Sequence, residues 1–220
     1  MSIKSSLIFK IFLLKILLLM PLTGLFGQKN NPQKLNEPYK TFLENSEKIR
    51  MRYVKMLMDT MPKYGYQSKQ VSVINKKIEK LDATDLATFL EFEKKYGFPK
   101  TSIYGAKASN AAFLIIQHSD PATIQKYFKI IKKLAEKKEA ALPNVALMQD
   151  RILMDKKKKQ LYGTQYVSGT TATGIDTVYV YAIKDLKNID KRRKKMGLES
   201  FKVSLEEHGY SYPNYIYRKE

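Results

Sequence analysis

The chain has 220 residues, 44% of them hydrophobic, and it carries 40 lysines and arginines against 21 aspartates and glutamates, a formal net charge of +19. This length and apolar content suffice for one sizeable core, so a second full domain is not expected. The lack of cysteine excludes a disulfide framework, a thiolate nucleophile, a cysteine-based zinc site and a lipid-modified N-terminal cysteine.

The first 27 residues have the composition of an export signal. Lysines precede an apolar run from Ile16 to Leu25, and the small residue Gly27 follows it. This pattern predicts a secretory signal peptide over residues 1–27, and a final location in the periplasm or the medium. Loss of its three lysines would lower the net charge from +19 to +16. The alternative is an uncleaved anchor, although the charge-free run is shorter than the roughly 20 residues of a transmembrane helix.

A polar segment over residues 28–37 predicts a short tether, followed by a single domain over residues 38–220. Helical spacing of apolar residues begins at once and predicts a first amphipathic helix that ends at Pro62 and Gly65. Its apolar face is formed by Phe42, Ile49, Tyr53, Met56, Leu57 and Met61.

Two further helices are predicted before residue 98. The first covers Gln70–Leu81, where apolar residues recur on one face. The second is predicted to begin at a cap formed by Asp82 or Thr84 and to stop at Gly97.

A nearly continuous apolar stretch predicts the central helix of the fold over Ala106–His118. Asp120 followed by Pro121 has the pattern of an N-cap and first helical residue, so another helix is predicted to start there. A further helix is predicted from Pro143 to about Met154.

After residue 159 the apolar period changes from 3.6 to 2. Residues 160–167 and 177–183 are rich in β-branched and aromatic side chains, and the segment 168–174 between them is rich in glycine and threonine, which predicts a hairpin. A short basic helix is predicted over Asn188–Met196. The sequence therefore predicts an α+β, mainly α-helical fold in which about six helices pack with one C-terminal β-hairpin, near residues 160–183.

Two residues are candidates for catalysis. His118 lies one helical turn beyond Leu114 and Ile115, so its side chain is expected on an apolar face, as a core residue or as a general base. In an enzyme, Asp150 would orient it. Asp120 is better explained as a helix cap than as a catalytic acid.

Three residues are candidates for ligand binding. Arg151 and Arg193 fall on apolar faces of their helices, where a guanidinium needs a carboxylate or a bound anion. Gln165 shares the inward face of the predicted strand with Gly163, whose missing side chain leaves room for a ligand or for another backbone. The alternative for Arg151 is a structural ion pair with Asp150 or another acid.

Several short motifs occur in a recognisable order. They are Gly97-Phe98-Pro99, Gln117-His118-Ser119-Asp120, Asp150-Arg151, Gln160-Leu161-Tyr162-Gly163-Thr164-Gln165, Asp190-Lys191-Arg192-Arg193 and Gly197-Leu198. Their order resembles an uncharacterised bacterial family, one of the domains of unknown function, whose pattern is GWP, QHAD, DR, QxYGTQ, DxRR and GL. The resemblance covers about Lys80–Leu205.

The resemblance implies a recurring constellation of five polar residues and supplies no reaction. The five are His118, Asp150, Arg151, Gln165 and Arg193. The chain departs from the pattern at Phe98, where tryptophan is usual, and in a longer hairpin loop. The first change affects a packing contact, and the second would alter access to a site beside the hairpin.

Three functions follow from these observations. The first is an exported protein that binds a small anionic or polar ligand, or an envelope component. The second is a histidine-dependent hydrolase or group-transfer enzyme, and the third is an interaction protein whose polar residues form a closed buried network. The sequence contains no nucleophile elbow, HExxH motif, phosphate-binding glycine loop or metal-ligand cluster, so no cofactor and no metal are predicted. The export signal argues against a nucleic-acid partner, whereas the positive charge leaves a membrane surface open.

Overall fold

The computed structural model of the chain describes residues 35–65, 67–170 and 176–207. The predicted signal peptide and most of the predicted tether lie outside these residues. The described residues form two compact units. We call residues 35–141 the helical unit and residues 142–207 the hairpin unit. The prediction of one domain over residues 38–220 stays a prediction.

Within the described residues there are seven α-helices, one 3-10 helix and two strands. This confirms a mainly α-helical fold with a C-terminal β-hairpin, and no described helix is long and apolar enough to cross a membrane. The elements are α1 (Glu37–Tyr64), α2 (Lys69–Tyr96), α3 (Thr101–Gln117), α4 (Pro121–Glu136), α5 (Leu142–Asp155), β1 (Tyr166–Thr170), β2 (Asp176–Val180), the 3-10 helix (Leu186–Asn188), α6 (Ile189–Lys195) and α7 (Phe201–Glu207).

Helix α1 begins where the predicted tether ends. The side chain of Asn36 accepts a hydrogen bond from the amide of Tyr39 at 2.9 Å and caps the helix. The helix continues through Pro62 and ends at Gly65, whose φ is +81°. Pro62 lies in the last turn of the helix, so its missing N–H group removes only one backbone hydrogen bond.

Helix α2 corrects the prediction of two separate helices over residues 70–97. It is continuous, since neither glycine nor proline interrupts it, and Asp82 is not a cap. The carboxylate of Asp82 pairs instead with Arg50 of α1, whose side chain is only 2% exposed. Ser46 of α1 donates a hydrogen bond to Asp85 in the same way. A buried arginine requires such a partner, so these pairs fix how α1 lies along α2.

Aromatic rings fill the core of the helical unit. Tyr39 stacks on Phe92 with 4.9 Å between ring centroids and meets Tyr104 edge-on at 5.3 Å. The hydroxyl of Tyr127 donates to Glu93 at 3.0 Å, which joins α4 to α2. Phe98, which stands where the motif pattern has tryptophan, is buried against Phe89, so its role is in packing.

Helix α3 confirms the helix predicted over Ala106–His118, although it begins at Thr101, and every residue from Ala111 to Gln117 is buried. Gly105 interrupts it with φ +82° and ψ 161°, which places a kink near its N-terminal end. Asp120 confirms the predicted cap of α4, since its carboxylate accepts from the amides of Ala122 and Thr123.

Strands β1 and β2 of the hairpin unit are antiparallel, with Tyr166 opposite Val180 and Thr170 opposite Asp176. The prediction that the first strand begins at residue 160 is wrong, because residues 161–163 form a bend and β1 begins at Tyr166. Helix α7 was not predicted. The core of this unit is a cluster of apolar side chains from the hairpin, α6 and α7: Tyr166, Val180, Ile183, Ile189, Phe201 and Leu205.

Candidate functional site

Asp150 is the centre of the polar arrangement in the hairpin unit. Its side chain, fully buried on α5, accepts hydrogen bonds from the amides of Leu161 at 2.7 Å, Tyr162 at 3.0 Å and Thr164 at 3.1 Å. The hydroxyl of Thr164 adds a fourth donor at 3.0 Å. We call residues 160–165 the QLYGTQ segment. Its backbone amides thus wrap around one carboxylate.

Burial raises the pKa of Asp150 to about 6, because a charged carboxylate loses its hydration in the interior. The hydrogen bonds from the QLYGTQ segment act in the opposite direction, since they favour the ionised form. These backbone amides therefore stabilise the ionised form of the Asp150 carboxylate at neutral pH.

Two arginines of α6 bind the carbonyl groups of the same segment. The guanidinium of Arg193 donates to the carbonyl oxygen of Tyr162 and to that of Glu199, both at 2.6 Å, and lies 5.8 Å from the ring centre of Phe201. Arg192 donates to the carbonyl oxygen of Leu161 at 2.8 Å. Burial lowers the pKa of Arg193 from its ordinary value. The segment is thus held by its N–H groups on one side and by its carbonyl groups on the other.

Gly163 lets the QLYGTQ segment turn between these contacts. Its φ of +69° lies in the left-handed region, which side chains other than glycine rarely adopt. A Cβ atom there would lie 2.7 Å from the ring of Phe201 and 3.0 Å from the side chain of Ile189. The close approach that the sequence predicts at Gly163 is therefore made by the protein's own core.

Two glutamines close the ends of the segment. The side-chain Nε2 group of Gln160 donates to the backbone carbonyl oxygens of Gln165 and Tyr181. Its side-chain Oε1 atom accepts from the backbone amide of Gln165 at 2.8 Å. The Nε2 group of Gln165 donates to Leu147 at 3.3 Å and to Thr164 at 2.9 Å. Within the described residues its Oε1 atom is buried without a hydrogen-bond partner.

The remaining candidates are Arg151 and His118. Arg151 points along α5 and pairs with Asp155 at 3.3 Å, one turn further on, rather than with Asp150. His118 belongs to the helical unit, where it follows the last residue of α3 and is half-buried. The buried side chain of Gln117 has no hydrogen-bond partner for either polar atom among the described residues.

The structure thus brings Asp150, Gln165 and Arg193 to one segment. No role was predicted from the sequence for the side chain of Gln160, which closes the segment, or for Arg192, which donates to the carbonyl oxygen of Leu161. The signal for both was present, since Gln160 opens the QxYGTQ motif and Arg192 stands in the DxRR motif. Within the described residues, no group of three or more histidine, aspartate and glutamate side chains could hold a metal ion.

A second candidate site is the exposed, lysine-rich face of α4. Ile124, Tyr127 and Ile131 are buried, whereas the opposite face exposes several lysines. Those on the helix and in the turn after it are Lys126, Lys129, Lys132, Lys133, Lys137 and Lys138. We call these six residues the lysine stripe.

Residues 54–212 match the model of a family of unknown function, DUF6624. The match covers more than half of the chain, so the chain belongs to this family. It also includes all the motifs on which the resemblance in the sequence rests. No curated protein and no solved structure matches the chain significantly.

Proposed function

We propose that this member of the DUF6624 family is an exported protein without enzymatic activity that binds an anionic partner in the cell envelope through its lysine-rich surface. The observation that carries the proposal is that the buried polar side chains bind the protein's own backbone. Its most buried charges, Asp150 and Arg193, bind backbone groups of the QLYGTQ segment. That arrangement supports a structural role for both residues, and we propose that recognition takes place at the surface.

A ligand that took the place of the QLYGTQ segment would have to replace its hydrogen bonds to Asp150. Each bond to a charged group contributes about 1.5–3 kcal/mol, and a buried donor left without an acceptor costs about 1–3 kcal/mol. With four donors on the carboxylate, such a ligand would disturb the core of the hairpin unit.

The enzyme hypothesis has little support in this geometry. A general base needs an orienting acid whose oxygen can accept from the imidazole. Both oxygens of Asp150 already accept hydrogen bonds from the QLYGTQ segment. We therefore assign neither Asp150 nor His118 a part in a reaction.

The chemistry of the surface supports an anionic partner. After loss of the export signal the net charge would be +16, and a surface of one sign attracts polyanions over about a Debye length. Export would bring this charge to the cell envelope, which offers phosphate and carboxylate groups. Lysines bind such groups as point charges without a demanding geometry.

The test is a fractionation of bacterial cells that express the full chain with a C-terminal tag. We expect the protein in the envelope fraction at low salt, with release at about 0.5 M NaCl, where the Debye length falls below about 5 Å. Recovery in the soluble fraction at low salt would refute the envelope partner. Retention at high salt would refute its electrostatic character.

One observation favours a second candidate, a small polar ligand that donates a hydrogen bond to Gln165. Its buried Oε1 atom has no partner within the described residues, and buried polar atoms are normally satisfied. A panel of small polar and anionic metabolites tests it by thermal shift. A compound that raises the melting temperature of the wild type, but not that of Gln165→Leu, would establish this function in place of the first.

A further inference from the structure

We propose that the lysine stripe of α4 is a docking surface for a bilayer that contains anionic lipid headgroups. This inference rests on the proposed function and deepens it, because it names both the surface and the partner. The stripe is formed by the exposed lysines of α4 and of the turn that follows: Lys126, Lys129, Lys132, Lys133, Lys137 and Lys138.

The spacing places the central lysines on one line. Lys126, Lys129 and Lys133 are separated by three and four residues, so they project from one face over two turns of the helix. The buried residues Ile124 and Ile131 anchor the opposite face in the core. The three lysines therefore extend from one exposed face of the helix, where the ammonium group of Lys126 lies 5.1 Å from the ring centre of Tyr127.

Neighbouring acids do little to neutralise this row. Glu136 is the one acidic residue within α4, and no ion pair joins it to a lysine of the stripe within the described part of the chain. Glu139, just beyond, uses both carboxylate oxygens to bind Ser102 at the start of α3. The positive field of the stripe is thus directed outward.

The turn after α4 keeps further lysines exposed. Lys138 has φ +61°, and the amide of Glu139 returns to the carbonyl oxygen of Leu134 at 2.8 Å, which ends the helix. Glycine is the usual residue at such a position, because a side chain there is strained. The chain carries a lysine there instead and gains positive charge at the end of the stripe.

A bilayer surface fits this pattern better than a compact anion does. A compact phosphate needs donors that converge, and arginine provides them best. The stripe contains lysines only, in a row along a straight helix face, which suits many anionic groups spread over a plane. Each lysine near an anionic leaflet strengthens binding by about fivefold, so three of them supply about 100-fold.

The experiment uses the protein as it is recovered from cells that export it, and vesicles of phosphatidylcholine with about 30% phosphatidylglycerol. Co-sedimentation is measured at low and at high salt, because only electrostatic binding is released by salt. Every variant carries the same N-terminus, so the salt-released fraction isolates the contribution of the described surface.

The test variant is Lys126→Glu, Lys129→Glu, Lys133→Glu. The control is Lys76→Glu, Lys77→Glu, Lys80→Glu on α2, whose three lysines are also exposed. Both variants change the net charge by the same amount. We expect the α4 variant to lose at least about 100-fold of the salt-released binding, and the α2 variant to lose less than about tenfold.

Each outcome decides one question, provided that circular dichroism melts of both variants match the wild type. If the melt of the α4 glutamate variant differs from that of the wild type, a variant with the uncharged residue glutamine at the same three positions takes its place. Equal loss in the α2 and α4 variants would overturn the stripe as the docking surface. Wild-type protein that leaves envelopes on addition of salt but ignores the vesicles would overturn the lipid partner and keep the proposed function. Failure of both assays would overturn the two together.

Discussion

Asp150 is stable as a buried anion only because the backbone of the QLYGTQ segment surrounds it with donors. Replacement by alanine would leave the amides of Leu161, Tyr162 and Thr164 without their acceptor. We expect Asp150→Ala to lower the free energy of unfolding by about 3–5 kcal/mol, measured by urea denaturation at neutral pH. The control is Asp155→Ala on the same helix, whose partly exposed pair with Arg151 should contribute less than about 1 kcal/mol. Equal effects would show that Asp150 does not organise the segment.

The same carboxylate predicts a pH dependence of stability. Burial raises its pKa to about 6, so between roughly pH 4 and pH 6 the native state binds a proton that the unfolded state has released. The contribution of Asp150 to the free energy of unfolding therefore falls as the pH rises through this window, by roughly 3 kcal/mol, and is constant above it. The measurement compares urea midpoints of the wild type and Asp150→Asn across this range. A difference between them that does not change with pH would contradict the raised pKa.

The pattern of the QLYGTQ segment predicts a strand, whereas the segment bends in the structure. Its alternating pattern and its tyrosines favour a strand, but the positive φ of Gly163 and the four donors bound to Asp150 curve the backbone. Local sequence does not contain Asp150 or Arg193, which lie at least ten residues away. The helices α3 and α4 were predictable because the nearly continuous apolar stretch of α3 and the cap of α4 at Asp120 are local signals.

Packing of this turn against α6 and α7 can be tested at Gly163. Gly163→Ala would place a Cβ atom 2.7 Å from the ring of Phe201. We expect it to lower the free energy of unfolding by about 2–4 kcal/mol, the sum of backbone strain and overpacking. Gly197→Ala has a similar φ of +67°, but its nearest contact would be Pro143 at 3.8 Å, so it should cost only about 1 kcal/mol. If thermal unfolding showed the same loss for both, the ring of Phe201 would not constrain the segment.

The end of α5 offers a stabilising substitution. Lys157 has φ +55°, and the amide of Lys158 binds the carbonyl oxygen of Leu153 at 2.8 Å, the pattern of a helix end that favours glycine. We expect Lys157→Gly to raise the free energy of unfolding by about 0.5–1 kcal/mol, since relief of strain exceeds the loss of charge at the helix end. Lys156→Gly, one residue earlier, serves as the control and should lower it. A decrease for Lys157→Gly in urea melts would refute the strain argument.

For the molecule as a whole, the sequence predicted the fold class and the order of elements better than it predicted the site. Gln165 and Arg193 are unusual in the sequence because a polar group on an apolar face needs a partner, and their predicted role in ligand binding stays a prediction. Arg193 binds the backbone carbonyl oxygens of Tyr162 and Glu199, and Gln165 donates to that of Leu147; no side-chain pattern reveals such backbone partners. For the same reason the continuous helix α2 was missed, since Asp82 looks like a cap until Arg50 is seen beside it.

The final prediction concerns the net charge. A chain with a formal net charge of +19 repels itself in the folded state, and salt screens that repulsion over a Debye length of about 10 Å at 0.1 M. We therefore expect the melting temperature to rise by several degrees between about 0.02 M and 0.5 M NaCl, in contrast to a protein held together by surface ion pairs. The variant with glutamate at residues 126, 129 and 133 carries less net charge, so its melting temperature should rise by less. If both proteins respond equally, or neither responds, then the lysines of α4 are already neutralised by acids of the chain, and the outward field on which the docking surface depends does not exist.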